Sequence, residues 1–251
     1  MPTSLICSAG ADFSLNSSGF AAPVPAGLLA WFFIGALPSD TPAQAQARSL
    51  TNLAYSGNGA SMVGQIPFAV GYGSFTPVVN YMQSDISETA DYTIAAVYQA
   101  TGTLAVSNAA PIAGTLIGSG SLFYYSGTTG LPQGTLAAAD TFATQSAAGA
   151  ISVANATTAF KFLYHRVNST APLSDLGNKT DNQVSSAVPT GARQISASRK
   201  WQIGSGVAPG YPGPGRLKLW AYWNRYISDA EMTTVYNFAK NYELKKFGGI
   251  I

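Results

Sequence analysis

The sequence predicts an all-β protein, an antiparallel sandwich or barrel with a single C-terminal α-helix. Three observations carry this. Short segments rich in β-branched and aromatic residues, at 28–34, 93–98, 121–125, 160–167, 193–198, 201–204 and 216–224, are each bounded by Gly, Pro, Ser or Asn. Helical periodicity is confined to one segment near the C-terminus. The chain is 251 residues long, and single sandwiches and barrels commonly run to roughly 200–250 residues.

The segment 28–34 (Leu-Leu-Ala-Trp-Phe-Phe-Ile) is apolar throughout and reads as a buried strand. In 160–167, strand alternation puts Phe160, Phe162, Tyr164 and Arg166 on one face and Lys161, Leu163 and His165 on the other. In 216–224 it puts Leu217, Leu219, Ala221 and Trp223 on a core-like face, opposite Lys218, Trp220, Tyr222 and Asn224. The Ala/Ser/Thr/Gly-rich stretch 136–158 reads as loops or weak strands. The helix, expected over about 229–246, opens on the capping box Ser228-Asp229-Ala230-Glu231. Met232, Val235, Tyr236, Ala239 and Tyr242 then form one apolar stripe. Lys240, Lys245 and Lys246 suit the negative end of the helix dipole, and Gly248-Gly249 ends it.

Composition excludes several classes. Hydrophobic residues make up 47% of the chain, which rules out a disordered polymer. One cysteine, Cys7, excludes an intrachain disulfide and a cysteine-based zinc site, and one histidine, His165, excludes a His-rich metal site. Residues 1–160 hold one cation, Arg48, against six acids, whereas residues 161–251 hold twelve cations against five acids. The basic residues are scattered, with Arg199-Lys200 and Lys245-Lys246 the only doublets and no recognition motif beside them, so no nucleic-acid partner is expected. The longest apolar run, 27–37, has eleven residues, about half of what a membrane-spanning helix needs. No Lys or Arg precedes position 48, so a signal peptide with a basic start is not expected.

Three segments resemble the concanavalin A-like lectin/glucanase superfamily, in particular the laminin-G-like jelly rolls of bacterial and phage proteins. The first is Gly27-Leu28-Leu29-Ala30-Trp31, followed by Ser49-Leu50-Thr51-Asn52-Leu53 and the turn Ser56-Gly57-Asn58-Gly59. The second is the strand Thr89-Ala90-Asp91-Tyr92-Thr93-Ile94-Ala95-Ala96-Val97 after an acidic turn. The third is Trp201-Gln202-Ile203-Gly204 with the ending Ala221-Tyr222-Trp223-Asn224-Arg225-Tyr226-Ile227-Ser228-Asp229-Ala230-Glu231-Met232. The resemblance implies two antiparallel sheets in a jelly roll over residues 27–251, with residues 1–26 as an N-terminal arm or edge strand. It implies function poorly, because this fold serves lectins, hydrolases and structural modules alike.

Glucanases of this superfamily carry Glu-x-Asp-x-x-Glu on one strand, and this sequence lacks that motif. The nearest acids, Asp85, Glu88 and Asp91, are spaced for a turn. They read as a solvated acidic turn, with a calcium site as the rival. His165 has no Ser or Asp motif beside it and reads as structural, so no catalytic residue and no cofactor are expected.

Sugar recognition uses aromatic faces flanked by a few polar groups. Trp220 and Tyr222, with Lys218 and Asn224 on the same face and Tyr211 on a stiff Pro/Gly loop, form the candidate glycan or protein contact. The competing reading packs Trp220 and Tyr222 under the C-terminal helix.

These observations lead to one expectation with two alternatives. The protein is expected to be a non-enzymatic virion component of a phage, in the tail, surface or decoration layer, binding host glycan, neighbouring subunits or further copies of itself. It would be made in the host cytoplasm and carried in the particle; an extracellular location is the alternative. A stand-alone bacterial lectin and a glycan hydrolase with unrecognised acids are the alternative functions.

Overall fold

The computed structural model describes residues 20–54, 59–104, 108–117, 119–127, 134–141, 146–147, 150–196, 198–206 and 210–249. Two eight-stranded sheets stack face to face, and every strand pairing is antiparallel. The first sheet contains β1 (Leu28–Phe33), β3 (Phe68–Ala69), β4 (Tyr72–Phe75), β6 (Tyr92–Ala100), β12 (Lys161–Asn168), β13 (Leu173–Asn178), β14 (Gln183–Ala187) and β16 (Gly215–Trp223). Its order is β14-β13-β12-β6-β16-β4-β3, with β1 also on β16. The second contains β2 (Ala60–Val63), β5 (Tyr81–Ser87), β7 (Ala110–Gly114), β8 (Ser121–Gly127), β9 (Gly134–Thr141), β10 (Ser146–Ala147), β11 (Ala150–Val153) and β15 (Lys200–Ile203). Its order is β10-β9-β8-β7-β15-β5-β2, with β11 also on β9. The expected antiparallel sandwich is thus the observed one.

Strand β16 organises the first sheet. One edge pairs with β6 along its length; the other is shared between β4, at Gly215–Leu217, and β1, at residues 219–223. The register slips between Leu217 and Leu219, a bulge that inverts side-chain alternation. Leu217, Trp220 and Tyr222 therefore point between the sheets, while Leu219, Ala221 and Trp223 point to the outer side of the first sheet. The uninterrupted alternation expected for 216–224 is corrected by that one residue.

Two cores result. Between the sheets, Phe32, Tyr92, Tyr98, Phe123, Tyr125, Trp201, Trp220 and Tyr222 are all buried. Tyr222 stacks on Tyr92 and on Trp220, with ring centroids 5.9 Å apart in both pairs. On the outer side of the first sheet, Trp31, Phe33, Phe162, Leu219 and Trp223 pack against Met232, Val235 and Ala239 of α2 (Asp229–Phe247). The alternation expected for 160–167 holds: Leu163 and Val167 join the first core, Phe162 and Tyr164 the second. Phe20 packs into this second core, and Val24 accepts a 2.8 Å hydrogen bond at its carbonyl from Trp223 Nε1.

Helix α2 begins where its sequence dictates. Ser228 Oγ accepts from the Glu231 amide at 3.3 Å, and Glu231 Oε2 accepts from the Ser228 amide at 2.8 Å. Hydrogen bonds from Arg225 and Ser228 hold the Glu231 carboxyl down to about 2. Arg166, buried on β12, fixes the helix start to the sheet: Nη1 reaches the Ile227 carbonyl at 2.9 Å and Asp229 Oδ1 at 2.8 Å, and Nη2 reaches Asp175 Oδ2 at 3.0 Å. Gly248 ends the helix at φ 63°, a left-handed geometry that glycine adopts without a Cβ penalty.

A second, short helix, α1 (Pro42–Leu50), was not expected. Its signal is a capping box of Thr41 with Gln44 and a proline in the first turn. Segment 193–198 contains no strand among its described residues, only an isolated bridge at Arg193, and 136–158 contains much of β9 and all of β10 and β11. Residues 1–19 of the expected N-terminal arm or edge strand, Cys7 among them, and the Ser56-Gly57-Asn58 part of the family-like turn lie outside the described residues.

Because the capping box closes on itself, Ser228→Ala should destabilise the protein by about 1 kcal/mol. A shift of the urea midpoint with an unchanged slope checks this; an unchanged midpoint would assign the anchoring of the helix to Arg166 alone.

Candidate functional site

Two places concentrate chemistry-bearing side chains: one is sealed between the sheets, the other is open. In the sealed cluster, Glu88 follows β5, Tyr92 opens β6, Thr115 and Ser121 flank the β7–β8 turn, Asp140 lies on β9, His165 on β12 and Ser174 on β13, while Arg193 enters from the irregular segment before β15. Glu88 is 3% exposed, and Asp140, His165, Ser121 and Ser174 are 0% exposed.

Each acid oxygen in the cluster has donors. Glu88 Oε1 accepts from Arg193 and lies 2.8 Å from Ser121 Oγ, whose single proton it shares with Asp140, and Oε2 accepts from Thr115 Oγ1 at 2.8 Å and the Ser196 amide at 3.0 Å. Asp140 Oδ1 accepts from Ser121 Oγ at 2.6 Å and Tyr92 at 2.8 Å, and Oδ2 accepts from Ser174 Oγ at 2.8 Å. His165 Nε2 lies 2.9 Å from Asp140 Oδ2, which places a ring proton on that nitrogen, and Nδ1 meets the Tyr92 hydroxyl at 3.0 Å. Burial pushes the Asp140 carboxyl up, but His165, Arg193 and the Ser121 hydroxyl together hold it well below the usual carboxylate range. Burial and the Asp140 charge push the Tyr92 phenol well up. Gly120, at φ 114°, lets the backbone pass close: a Cβ there would lie 2.6 Å from Thr115 Oγ1 and 3.1 Å from Glu88 Oε2.

Ser174, His165 and Asp140 are together but not in a relay. A nucleophile and its orienting carboxylate occupy opposite ring nitrogens. Here Ser174 (3.2 Å) and Asp140 share Nε2, Tyr92 takes Nδ1, and Ser174 gives its own hydroxyl proton to Asp140. Glu88 and Asp140, bridged by Ser121, are both buried between the sheets. Glu88 is thus no part of a solvated turn. Asp85 points outward from β5, and Asp91 accepts from the amide and hydroxyl of Ser169 at 2.6 Å each, so Asp85, Glu88 and Asp91 do not converge on one cation. Among the described residues no group of three or more His, Cys, Asp or Glu side chains is placed to hold a metal.

The aromatic platform is corrected as well. Trp220 and Tyr222 are both 0% exposed, and they face the opposite sheet rather than solvent or α2. The strand carrying them is central, with both faces covered, which alternation alone does not reveal. Tyr222 donates or accepts at Thr89 Oγ1, 2.8 Å away. Lys218 is drawn to Glu243 on α2, 2.5 Å from Oε2, and lies 4.6 Å above the Phe160 ring. Asn224 is exposed just beyond β16, and Tyr211 is half-buried with its ring 5.0 Å from that of Tyr124. The structure does not bring these five residues to one surface.

The open place is a cleft of about 280 Å³ on the outer face of the second sheet, lined by Gln83, Ser198, Arg199, Lys200 and Gln202. Gln83 and Gln202 are register partners on β5 and β15. No aromatic residue signals the cleft; the trace in the sequence is the Arg199-Lys200 doublet, next to a strand that alternates outward at Lys200 and Gln202.

No family model and no curated protein sequence matches this chain. Solved structures do share its fold. The receptor-binding domain of botulinum neurotoxin mosaic serotype C/D superposes with a TM-score of 0.61 at 8% identity, covering 86% of this chain and 51% of that one. The binding domain of Paraclostridial Mosquitocidal Protein 1 gives 0.57 at 12% identity, covering 86% and 52%. The binding domain of botulinum neurotoxin DC, in complex with SialylT, gives 0.59 at 6% identity, covering 85% and 52%. The chain spans about half the length of these domains, and at such identities the likeness is one of fold.

The sealed cluster should contribute to the acid sensitivity of the protein. The Asp140 carboxyl titrates lower folded than unfolded, so its stabilisation is complete above the unfolded value of about 3.9 and is lost as pH falls below it. Asp140→Asn should cost about 3–5 kcal/mol at neutral pH, by removing the buried carboxylate on which Tyr92, Ser121, Ser174 and His165 converge. Its urea midpoint should then fall less than that of the wild type on acidification from pH 5 toward pH 2; equal slopes would assign the acid limb to other carboxylates. Trp220→Ala should lower stability by about 3–5 kcal/mol, read by thermal melting, as a core truncation does.

Proposed function

We propose that the protein is a non-catalytic recognition module with a concanavalin A-like jelly roll. On this reading it is a tail, surface or decoration component of a phage particle, binding host glycan, neighbouring subunits or both. The observation that carries the non-catalytic part is the sealing of Glu88, Asp140 and His165, every oxygen of the two acids being engaged by the protein's own donors. Glycoside hydrolysis needs two carboxyl groups facing a sugar, about 5–9.5 Å apart; here the paired acids face each other's hydroxyl bridge. The glycan part is supported by fold likeness to receptor-binding domains, one of them bound to SialylT. It extends no further than the half of those domains that this chain spans. The particle part is supported by composition: charged residues are only 10% of the chain, against a usual ~25%, which suits surfaces largely covered by neighbours.

A broad glycan array probed with the purified protein tests recognition, and a polysaccharide panel assayed for reducing ends tests catalysis. Binding without sugar release is the expected result. Release that disappears in Glu88→Gln or Asp140→Asn would replace this reading with the hydrolase.

Assembly is tested by removing residues 1–19, which leaves Phe20 and Val24 in the second core. Light scattering should then show loss of the oligomer while the melting transition persists. Loss of folding would instead make the segment part of its own sandwich.

A further inference from the structure

We propose that the cleft over β5 and β15 is the ligand site and that it takes an anionic sugar ring, carboxylated or sulfated; this rests on the glycan-binding reading above. The lining is the argument. It contains a guanidinium, an ammonium, two carboxamides and a hydroxyl, and no carboxylate. Guanidinium and ammonium groups make charge-assisted hydrogen bonds to carboxylate and sulfate oxygens. Carboxamides both donate and accept, which matches the hydroxyl groups of a pyranose.

Neither cation is neutralised by a described residue. Among the described residues, Arg199 and Lys200 form no ion pair, whereas Lys161, Arg166, Arg193, Lys218 and Arg225 each do. Arg199 is held in place by one nitrogen only: Nη1 donates to the Ile117 carbonyl at 2.7 Å and to those of Thr115 and Ser119 at 3.3 Å. Its remaining nitrogens have no described partner. Lys200 Nζ donates to Ser87 Oγ at 2.8 Å and keeps two further protons to give.

The amides are pre-positioned. Gln83 Nε2 donates to the carbonyls of Lys200 and Trp201 at 3.3 Å, and Gln202 Nε2 donates to Gln83 Oε1 at 3.5 Å. Gln83, Lys200 and Gln202 stand on strands, so their backbones are rigid, which favours precise recognition over a loop-built site. At about 280 Å³ the cleft, which is open to solvent, has room for one sugar ring. Asp85, outward-facing two residues from Gln83 on β5, stands at the rim and opposes an anion.

The test titrates the full chain with methyl β-glucuronide, galactose 6-sulfate and neutral methyl β-glucoside by calorimetry. Both anionic sugars should bind and the neutral one should bind at least about tenfold more weakly. Arg199→Gln with Lys200→Gln should weaken the anionic sugars about tenfold or more. Gln83→Ala, which keeps the charge, should weaken them too, and Asp85→Asn should tighten them. Because Arg199 caps a loop, Lys200→Gln alone serves as the variant that leaves the loop intact, with melting curves recorded for each.

Anionic binding that is undiminished in Lys200→Gln and the double variant, or equal binding of the neutral sugar, overturns the proposal. If array glycans bind the wild type and the double variant alike, the site is wrong and the glycan reading stands. If no glycan on the array binds the wild type, the glycan reading falls with it.

Discussion

Both faces and both edges of β16 are occupied, and this constraint shapes everything around it. A strand so placed has no residue to spare for solvent, and its sequence, Gly-Arg-Leu-Lys-Leu-Trp-Ala-Tyr-Trp, is apolar in all but two positions. Those two, Arg216 and Lys218, lie over aromatic rings of Tyr72 and Phe160, so that even the cations cover apolar surface. The bulge at Leu217–Leu219 lets one strand feed two cores. Without it, the large rings of Trp220 and Tyr222 would be aimed at α2, and the space between the sheets would lose its central stack.

The polar cluster solves a different problem. Burying carboxylates is expensive, and an apolar replacement of the whole set would often be as stable. Its geometry nonetheless ties distant parts of the chain together. Glu88, Ser121 and Asp140 belong to the second sheet and its loops, Tyr92, His165 and Ser174 to the first, and Arg193 bridges to Glu88. Any sliding of one sheet over the other would strand a charge in an apolar core, so the cluster fixes how the sheets are stacked. It also accounts for an otherwise odd economy: in a chain with few charges, several are kept inside.

The outlines of the fold were legible because they rest on local signals. The capping box at Ser228, the aromatic strands β1, β6, β12 and β16 and the alternation at His165 can be read residue by residue. What escaped is what depends on partners far away in sequence. Nothing near Asp140, set in a run of alanines, announces His165 or Arg193, although a lone acid among apolar residues already implies a buried partner. The Trp220 and Tyr222 platform failed because period-two alternation says which side chains share a face, never what covers it, and because a one-residue bulge shifts the period unseen. The strands β2, β3, β10 and β11 are two to four residues long, too short for a local pattern to stand out; pairing supplies what sequence does not. The cleft is the same kind of case, an assembly of amides and cations from two strands that meet only in the folded sheet.

The order of strands along the chain carries a consequence for synthesis. In each sheet the strand that joins two groups of neighbours comes late: β15 links β7 to β5, and β16 links β6 to β4 and β1. A nascent chain that has emerged only through residue 190 holds hairpins and half-sheets with raw edges, and Arg193 is not yet present to meet Glu88. The second sheet becomes continuous only once the chain is complete through Ile203, and the first only once it is complete through Trp223. Completion of each sheet therefore falls late in synthesis, after its separate hairpins have emerged. Until then the earlier strands carry apolar faces that their late partners will cover.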